Sequence, residues 1–373
     1  MTGKIESGEP VRAIPEPLPQ YKLALAQPRI LPVLPADQPF QRGRLERNVE
    51  HVCAIAHRAR IEHSARWVAF PEFSIQGWSP RRSLADVLSS TVDLHGSEMA
   101  AIAACAARER IYVSLTIHER HPAFPGRYFM TAVTMNDAGV MCHVYRKLYV
   151  QTHKTRPGDV FDAYVREFGE ESFFPVTETP LGRIGTLIAG DIFWPENARC
   201  LALRGAEVIL NPTGAEATRP DQSPALEWVR PVRAWENAVY VAAPNIGSFE
   251  DAEGAFESRR SSEAFDFDGH RIASSTDLRD SLTVATIDLG ALRRARTTPG
   301  RNLLAQLQPA LHAPSYAAAE VFPLNAWSDR RLEDAAENVE LERVVLERLA
   351  SDRHAFQAYR RRQSSRPRGR FEG

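Results

Sequence analysis

Cysteine is scarce in this chain: four in 373 residues, Cys53, Cys105, Cys142 and Cys200, with no two closer than 37 positions and none in CxxC spacing. That excludes a zinc ribbon or a disulfide scaffold and suits a reducing compartment. Long apolar runs are missing too. Stretches such as Tyr240 to Pro244 and Leu187 to Ala189 fall far short of the roughly 20 residues that span a bilayer. Residues 1–20 contain no apolar h-region, so no secretory signal is expected and a cytoplasmic protein is the default. An excess of either charge is absent: 46 Lys and Arg against 47 Asp and Glu leave a net charge of −1. No global drive toward nucleic acid or an anionic membrane follows from such a balance. The chain also lacks GxxxxGK[ST], GxGxxG and GxSxG segments, which removes support for nucleotide cofactors and for a serine nucleophile.

What is present is the composition of a globular protein, 43% hydrophobic and 25% charged. Residues 1–20 carry four prolines and little apolar content, and read as a surface or disordered tail. From Tyr21 onward strands and helices alternate. Tyr21 to Ala26 reads as a strand, and Gly43 to Ile61 as a helix with Leu45, Val49, Val52, Ala56 and Ala59 on one face. Strands are expected at Trp67 to Phe70, Ile111 to Ile117, Tyr128 to Thr134, Val140 to Arg146, Arg183 to Ile188, Glu207 to Leu210 and Val239 to Ala243. Asn136 to Gly139 is a turn sequence joining two of them. Helices are expected at Ser97 to Arg108, Glu196 to Arg204 and Leu226 to Asn237. This is an α/β pattern with helices covering mixed sheets.

After Pro323 the chain turns highly charged, and Arg330 to Arg362 has helical spacing before an Arg-rich end. The expected division is therefore a tail (1–20), a main domain (21–323) and a C-terminal helix with a solvated tail (324–373). Without aromatic interleaving, the arginines read as a helix packing on the body or on a second copy rather than as a nucleic-acid arm.

The chemistry is expected where apolar strands end in polar residues. Trp67 to Phe70 runs into Pro71-Glu72, His143 to Arg146 into Lys147, Gly185 to Ile188 into Ala189-Gly190-Asp191, and Val239 to Ala243 into Pro244-Asn245. In open α/β sheets ligands sit beyond the carboxyl ends of strands. A carboxylate and an ammonium meeting there hold each other charged, one serving as base and the other as electrostatic stabiliser.

These segments, in this order, resemble the nitrilase superfamily of carbon–nitrogen hydrolases, from about Tyr21 to Ala317. Phe70-Pro71-Glu72-Phe73 with Gly77-Trp78 is similar to the segment of the glutamate base, and Tyr145-Arg146-Lys147-Leu148 to that of the lysine. Ile184 to Glu196 is similar to the segment of the nucleophilic cysteine. Arg199, Leu203 to Leu210, Arg233-Ala234-Trp235-Glu236-Asn237 and Asn245 continue the match. The resemblance implies an α-β-β-α four-layer sandwich, a homodimer or larger homo-oligomer, no cofactor and no metal, and hydrolysis of a small-molecule C–N bond through a thioester.

One departure stands out: where the family has its cysteine, this chain has Ala189. A methyl group cannot attack a carbonyl, so the chain is expected to be inactive. Either Ala189 is a Cys→Ala change that preserves bound substrate, or the chain is a naturally non-catalytic binding member. The first is favoured because Glu72 and Lys147 are both kept. Cys200, eleven residues on, reads as a helix-face packing residue and not as a substitute nucleophile.

The resemblance further implies that Gly190, Asp191, Phe193, Trp194 and Trp78 contribute to oxyanion or substrate binding. Ala189-Gly190-Asp191 with Trp194-Pro195-Glu196 is similar to the amidase and carbamoylase branch, whereas nitrilases proper, the runner-up, show Cys-Trp-Glu. Acyl transfer to an amine is a further alternative. The family's second glutamate finds no match at a convincing spacing, and Asp162 and Glu167 are weak candidates. His51, Cys53 and His57, like His118 and His121, lack the ligand count and spacing of a zinc site.

Overall fold

The computed structural model describes residues 20–35, 38–77, 82–149, 154–214, 223–251, 254–258, 260–319 and 321–350. The expected N-terminal tail before Gln20 and the Arg-rich end after Ala350 lie outside the described residues. In chain order the first half runs β1 (Tyr21–Gln27), α1 (Arg42–His63), β2 (Trp67–Ala69), α2 (Leu84–Ser89), α3 (Ser97–Glu109), β3 (Tyr112–Glu119), β4 (Phe129–Met135) and β5 (Met141–Arg146). The second half runs α4 (Phe161–Phe168), β6 (Thr177–Thr179), β7 (Gly182–Thr186), α5 (Pro195–Leu203), β8 (Val208–Leu210), α6 (Ser223–Asn237) and β9 (Tyr240–Ala243). It closes with β10 (Ser248–Asp251), β11 (Gly254–Glu257), β12 (Glu263–Phe265), β13 (Arg271–Ser274), β14 (Ser281–Ile287), α7 (Leu289–Thr297), α8 (Pro309–Ala318) and α9 (Ala335–Ala350).

Two six-stranded mixed sheets result, ordered β14-β1-β2-β3-β4-β5 and β13-β12-β9-β8-β7-β6. The middle of each is parallel, β1-β2-β3 in one and β7-β8-β9 in the other, and the remaining pairs are antiparallel. The two-residue period of β1 explains the layering. Leu23 and Leu25 face the second sheet, packing with Trp67, Tyr112, Ile184, Val208 and Leu210. Ala24 and Ala26 face the other way, against Leu45, Val52 and Ile55 of α1 and Ile102 and Cys105 of α3. The second sheet is covered by Ala198 and Leu201 of α5 and Ala234 of α6, over Leu187, Ile209 and Val241. These three apolar layers make the expected α-β-β-α sandwich.

Local rules set several boundaries. The turn after β4 is closed by the Asn136 carboxamide, whose oxygen accepts from the N–H groups of Ala138 (3.0 Å) and Val140 (2.9 Å). Gly139 takes φ +77°, and a Cβ there would lie 2.5 Å from the Ala103 carbonyl oxygen. The C-terminal helix starts later than Arg330, because the Asp334 carboxylate accepts from the Ala336 N–H at 2.9 Å and begins it there. Among the described residues no helix is long and apolar enough to cross a membrane.

Candidate active site

Glu72 follows β2 in a turn anchored on both sides. The Pro71 carbonyl accepts from Ser74 Oγ (2.6 Å) and Thr116 Oγ1 (3.1 Å), and the Glu72 N–H donates to the Thr213 carbonyl at 3.3 Å. Phe73 adopts φ +63°. Gly77 ends the turn at φ +71°, where a Cβ would sit 2.8 Å from the backbone of Pro32. Lys147 leaves β5 with its N–H on the Met130 carbonyl at 2.9 Å.

The two side chains meet in the interior: Lys147 Nζ donates to Glu72 Oε1 at 2.7 Å, with Glu72 0% and Lys147 8% exposed. Such a contact offsets the cost of burying either polar group alone. Glu72 Oε2 is buried and makes no hydrogen bond among the described residues. It is the oxygen of the pair that does not engage Lys147.

Ala189 is buried at the start of a short 3₁₀ turn, Ala189–Phe193, that follows β7. Its φ of +44° is a conformation that side-chain-bearing residues rarely hold. The surroundings enforce it. The Ala189 N–H donates to the Pro212 carbonyl at 2.8 Å, and its carbonyl accepts from Asn211 Nδ2 at 3.0 Å. Asn211 is itself held by the buried Arg230 guanidinium (3.0 Å), while Arg233 of α6 donates to the carbonyls of Ile192 (3.1 Å) and Phe193 (2.9 Å). Backbone strain held in this way is frequent at functional turns.

Asp191 sits behind this arrangement. Its carboxylate accepts from Tyr145 Oη (2.6 Å) and from the N–H groups of Leu148 (3.4 Å) and Tyr149 (3.0 Å), so it braces the segment on either side of Lys147. Burial pushes its pKa up to about 6, against the pull of Lys147 and these donors. Its oxygens thus face Tyr145 and the Lys147 segment. Gly190 and Phe193 are half-buried in the same turn. Trp194 is 40% exposed and stacks on Tyr149, with ring centroids 3.7 Å apart and planes 4° from parallel. Trp78 lies outside the described residues. Asn245 ties strand ends together through Ser258, Ser262 and the Arg260 carbonyl.

Asp162 and Glu167 are both exposed on α4. The Asp162 N–H is taken by Asn325 (3.0 Å), and the Glu167 carboxylate lies 3.9 Å from His121. The structure does not bring either to the buried pair. Cys200 is half-buried on α5, with its thiol pKa raised by burial. Among the described residues no three His, Cys, Asp or Glu side chains form a metal cluster.

Two buried groups escaped the sequence reading. Glu119 and Arg146 form a bidentate pair (2.6 and 2.8 Å) that fixes the residue before Lys147. Lys154 is 5% exposed, with its ammonium 4.5 Å from the Phe73 ring centroid. Burial pushes its pKa down to about 7; Glu72 acts in the opposite direction and Lys147 adds to the lowering.

Fold and site together define an α-β-β-α protein with a glutamate–lysine pair at its strand ends, facing a constrained turn. Residues 22–297 match the family described as Carbon-nitrogen hydrolase, and the chain belongs to that family. Curated relatives include the formamidase of Helicobacter acinonychis (strain Sheeba), 25% identical over 211 residues, covering 56% of this chain and 58% of the relative. The formamidase of Bacillus cereus (strain B4264) is 25% identical over 234 residues, covering 61% and 64%. The matched stretch thus spans less than two thirds of either relative. Among solved structures, a double mutant of the amidase from Nesterenkonia sp. AN1 in complex with acrylamide has a TM-score of 0.56 at 19% identity, covering 79% of this chain and 96% of that one. A cysteine-to-alanine mutant of the same amidase in complex with butyramide has a TM-score of 0.54 at 19% identity, covering 79% and 96%. At this identity the likeness bears on the fold.

Proposed function

We propose that this chain carries the site of an amide-directed carbon–nitrogen hydrolase, with Glu72 as base, Lys147 as electrostatic stabiliser and position 189 as the nucleophile position. With Ala189 there, the chain binds an amide-type small molecule and does not cleave it. The observation that carries this reading is the 2.7 Å Glu72–Lys147 contact beside a turn whose backbone is held in a strained conformation although it bears only a methyl group. The formamidase relatives, and the Nesterenkonia amidase whose alanine mutant was solved with butyramide, support an amide ligand.

In a form with cysteine at 189, Glu72 Oε2 would take the thiol proton and the thiolate sulfur would bond to the amide carbon. The resulting oxyanion would be stabilised by Lys147 Nζ and the Gly190 N–H. The C–N bond would break as Glu72 returns its proton to the leaving amine. Water, deprotonated by Glu72, would then open the thioester to the carboxylic acid and free thiol. In the present chain the sequence stops at binding, with Oε2 accepting from the amide nitrogen and Lys147 donating to the amide oxygen.

A cytoplasmic homo-oligomer completes the proposal, supported by the four free cysteines and by Trp228, Val232 and Trp235 exposed along α6. Ala189 itself favours a second reading, a family member that works only as a binder. The test is Ala189→Cys with ammonia release followed over amides, carbamoyl compounds and nitriles. Turnover of amides by the cysteine form alone supports the hydrolase reading. A restored thiol that is neither active nor unusually reactive overturns it in favour of the binder.

A further inference from the structure

Two of the four cysteines stand together, away from the site described above. Cys53 lies on α1 and Cys105 on α3, the helices that cover the outer face of the first sheet. Those helices are pinned to each other on both sides of the thiols. Near their first turns Arg42 Nη1 lies 2.6 Å from Glu98 Oε1, and toward their ends His57 Nδ1 lies 2.8 Å from Glu109 Oε2. His57 follows Cys53 by four residues and Glu109 follows Cys105 by four. One helical turn back from the His57–Glu109 contact, the two thiols are therefore brought opposite each other. The Cys105 Sγ donates to the Cys53 carbonyl at 3.8 Å, and the two thiol groups are hydrogen-bonded to each other.

The two sulfurs have different surroundings. Cys105 is 1% exposed, in the apolar layer with Val52 and Ile102, whereas Cys53 is half-buried. The hydrogen bond from Cys105 holds the Cys53 thiol below its ordinary pKa; burial opposes it, the Arg108 guanidinium helps, and Glu109 and Glu50 act against. The same hydrogen bond, and then burial, hold Cys105 protonated. Cys142 on β5 and Cys200 on α5 are both raised by burial, with Asp137 acting on the first and Arg204 and Glu196 on the second. A thiolate is the form that reacts with a peroxide, and a neighbouring thiol resolves the product.

We propose that Cys53 and Cys105 are a peroxide-sensitive thiol pair, in which hydrogen peroxide oxidises Cys53 and Cys105 then closes a disulfide that ties α1 to α3. In the first step the Cys53 thiolate sulfur bonds to one peroxide oxygen, the O–O bond breaks, and the departing hydroxide takes up a proton to become water. Cys53 is left as the sulfenic acid. In the second step the Cys105 sulfur bonds to the Cys53 sulfur, the S–O bond breaks, and the hydroxide leaves as water with the proton of Cys105. Two thiols and one hydrogen peroxide thus become one disulfide and two waters. The closed loop spans residues 53–105 and contains β2 and the turn that carries Glu72. In a reducing compartment such a bond is transient and is returned to thiols by exchange. The inference does not rest on the amide-site reading.

The test exposes the reduced, unmutated chain to a small excess of hydrogen peroxide, quenches with catalase, blocks remaining thiols with iodoacetamide in denaturant and maps peptides without reduction. The peptides of Cys53 and Cys105 are expected as one linked species, with free thiols falling from four to two and returning with dithiothreitol. Cys105→Ser should stop at the sulfenic acid on Cys53, captured there by dimedone. Cys53→Ser should slow oxidation of Cys105 at least about tenfold. Oxidation spread evenly over the cysteines, a link between any other two of them, or Cys105 oxidised as fast in Cys53→Ser as in the unmutated chain overturns the inference. Should Cys105→Ser fail to fold, the linked peptide of the unmutated chain and the rate in Cys53→Ser decide.

Discussion

Glu72 and Ala189 hang from neighbouring peptide units: the Glu72 N–H donates to the Thr213 carbonyl at 3.3 Å and the Ala189 N–H to the Pro212 carbonyl at 2.8 Å. The segment after β8 thus fixes Glu72 and Ala189, the proposed base and nucleophile position, relative to each other, although they follow strands of different sheets. A thiol placed at 189 would face the Lys147 ammonium, which favours the thiolate, and Glu72, a carboxylate acceptor for its proton. In Ala189→Cys, the new thiol should be alkylated by iodoacetamide at least about tenfold faster at neutral pH than Cys142 and Cys200, whose thiols burial makes harder to ionise, and than Cys105, whose thiol is held protonated first by its side-chain hydrogen bond with Cys53 and then by burial. Peptide mapping after brief labelling reads this directly, and uniform labelling of all five thiols would count against the placement.

The two members of the buried pair should differ in what their loss does. Lys147→Met leaves the fully buried Glu72 carboxylate without its 2.7 Å partner, and removing one half of a buried pair costs on the order of 3–5 kcal/mol. Glu72→Gln keeps an oxygen for Lys147, so it should unfold at a higher urea concentration than Lys147→Met. Assayed in the Ala189→Cys background, Glu72→Gln should nonetheless lose about 10²–10⁴ in kcat through the missing base. Urea midpoints and steady-state rates separate the two effects.

The legible parts of the fold are those with a strong local period. Leu23, Ala24, Leu25 and Ala26 alternate between two cores, and the α1 stripe of Leu45, Val49, Val52, Ala56 and Ala59 is buried as its spacing requires. Among the three-residue strands, β2 (Trp-Val-Ala) and β8 (Val-Ile-Leu) stand out as apolar runs, whereas β6 (Thr-Glu-Thr) and β12 (Glu-Ala-Phe) offer neither an apolar run nor a span long enough to show a period. Strand β14 escaped for another reason: its pairing with β1 joins residues some 250 positions apart, and only tertiary structure supplies it. At the site, strand ends marked Glu72, Lys147 and position 189. The resemblance places Asp191 among the oxyanion or substrate-binding residues, while its carboxylate turns to Tyr145 Oη and the N–H groups of Leu148 and Tyr149, a direction that residue type does not reveal.

The anchoring of the C-terminal segment on the body is testable. Asn338 Oδ1 accepts from both Arg156 Nη2 (2.9 Å) and Trp327 Nε1 (3.1 Å), and the Asn325 and Trp327 N–H groups donate to the carbonyls of Gly158 (2.8 Å) and Asp159 (3.1 Å). Asn338→Ala takes the acceptor from the buried Trp327 Nε1 and one of two partners from Arg156 Nη2, which keeps Asp159 at 2.7 Å, a loss of about 1–3 kcal/mol. Amide exchange should accelerate across residues 154–160 more than in β1 or β3, while the Glu72–Lys147 pair stays intact. Unchanged protection at 154–160 would show that the C-terminal segment merely rests on the body.

Two buried groups make opposite contributions to stability over the same acid range. His143 is held neutral, its pKa pushed down to about 4 by burial, with its ring nitrogens at Thr177 Oγ1 (2.9 Å) and Thr186 Oγ1 (3.2 Å). Between that value and the ordinary histidine pKa of about 6.5 the unfolded chain binds the extra proton, so this group's contribution rises with pH and is lost as pH falls. Asp191 is raised to about 6 by burial, so between the ordinary aspartate range and that value the folded chain binds the extra proton. Its contribution therefore falls as pH rises through the same interval. Each amounts to roughly 3 kcal/mol at full extent, and in the unmutated chain they largely offset each other. Removing either should expose the other: Asp191→Asn should gain stability on going from about pH 4 to about pH 6, and His143→Gln should lose it. Urea unfolding at the two pH values gives the sign in each case, and variants whose slopes match that of the parent would refute the buried ionisation states assigned to both residues.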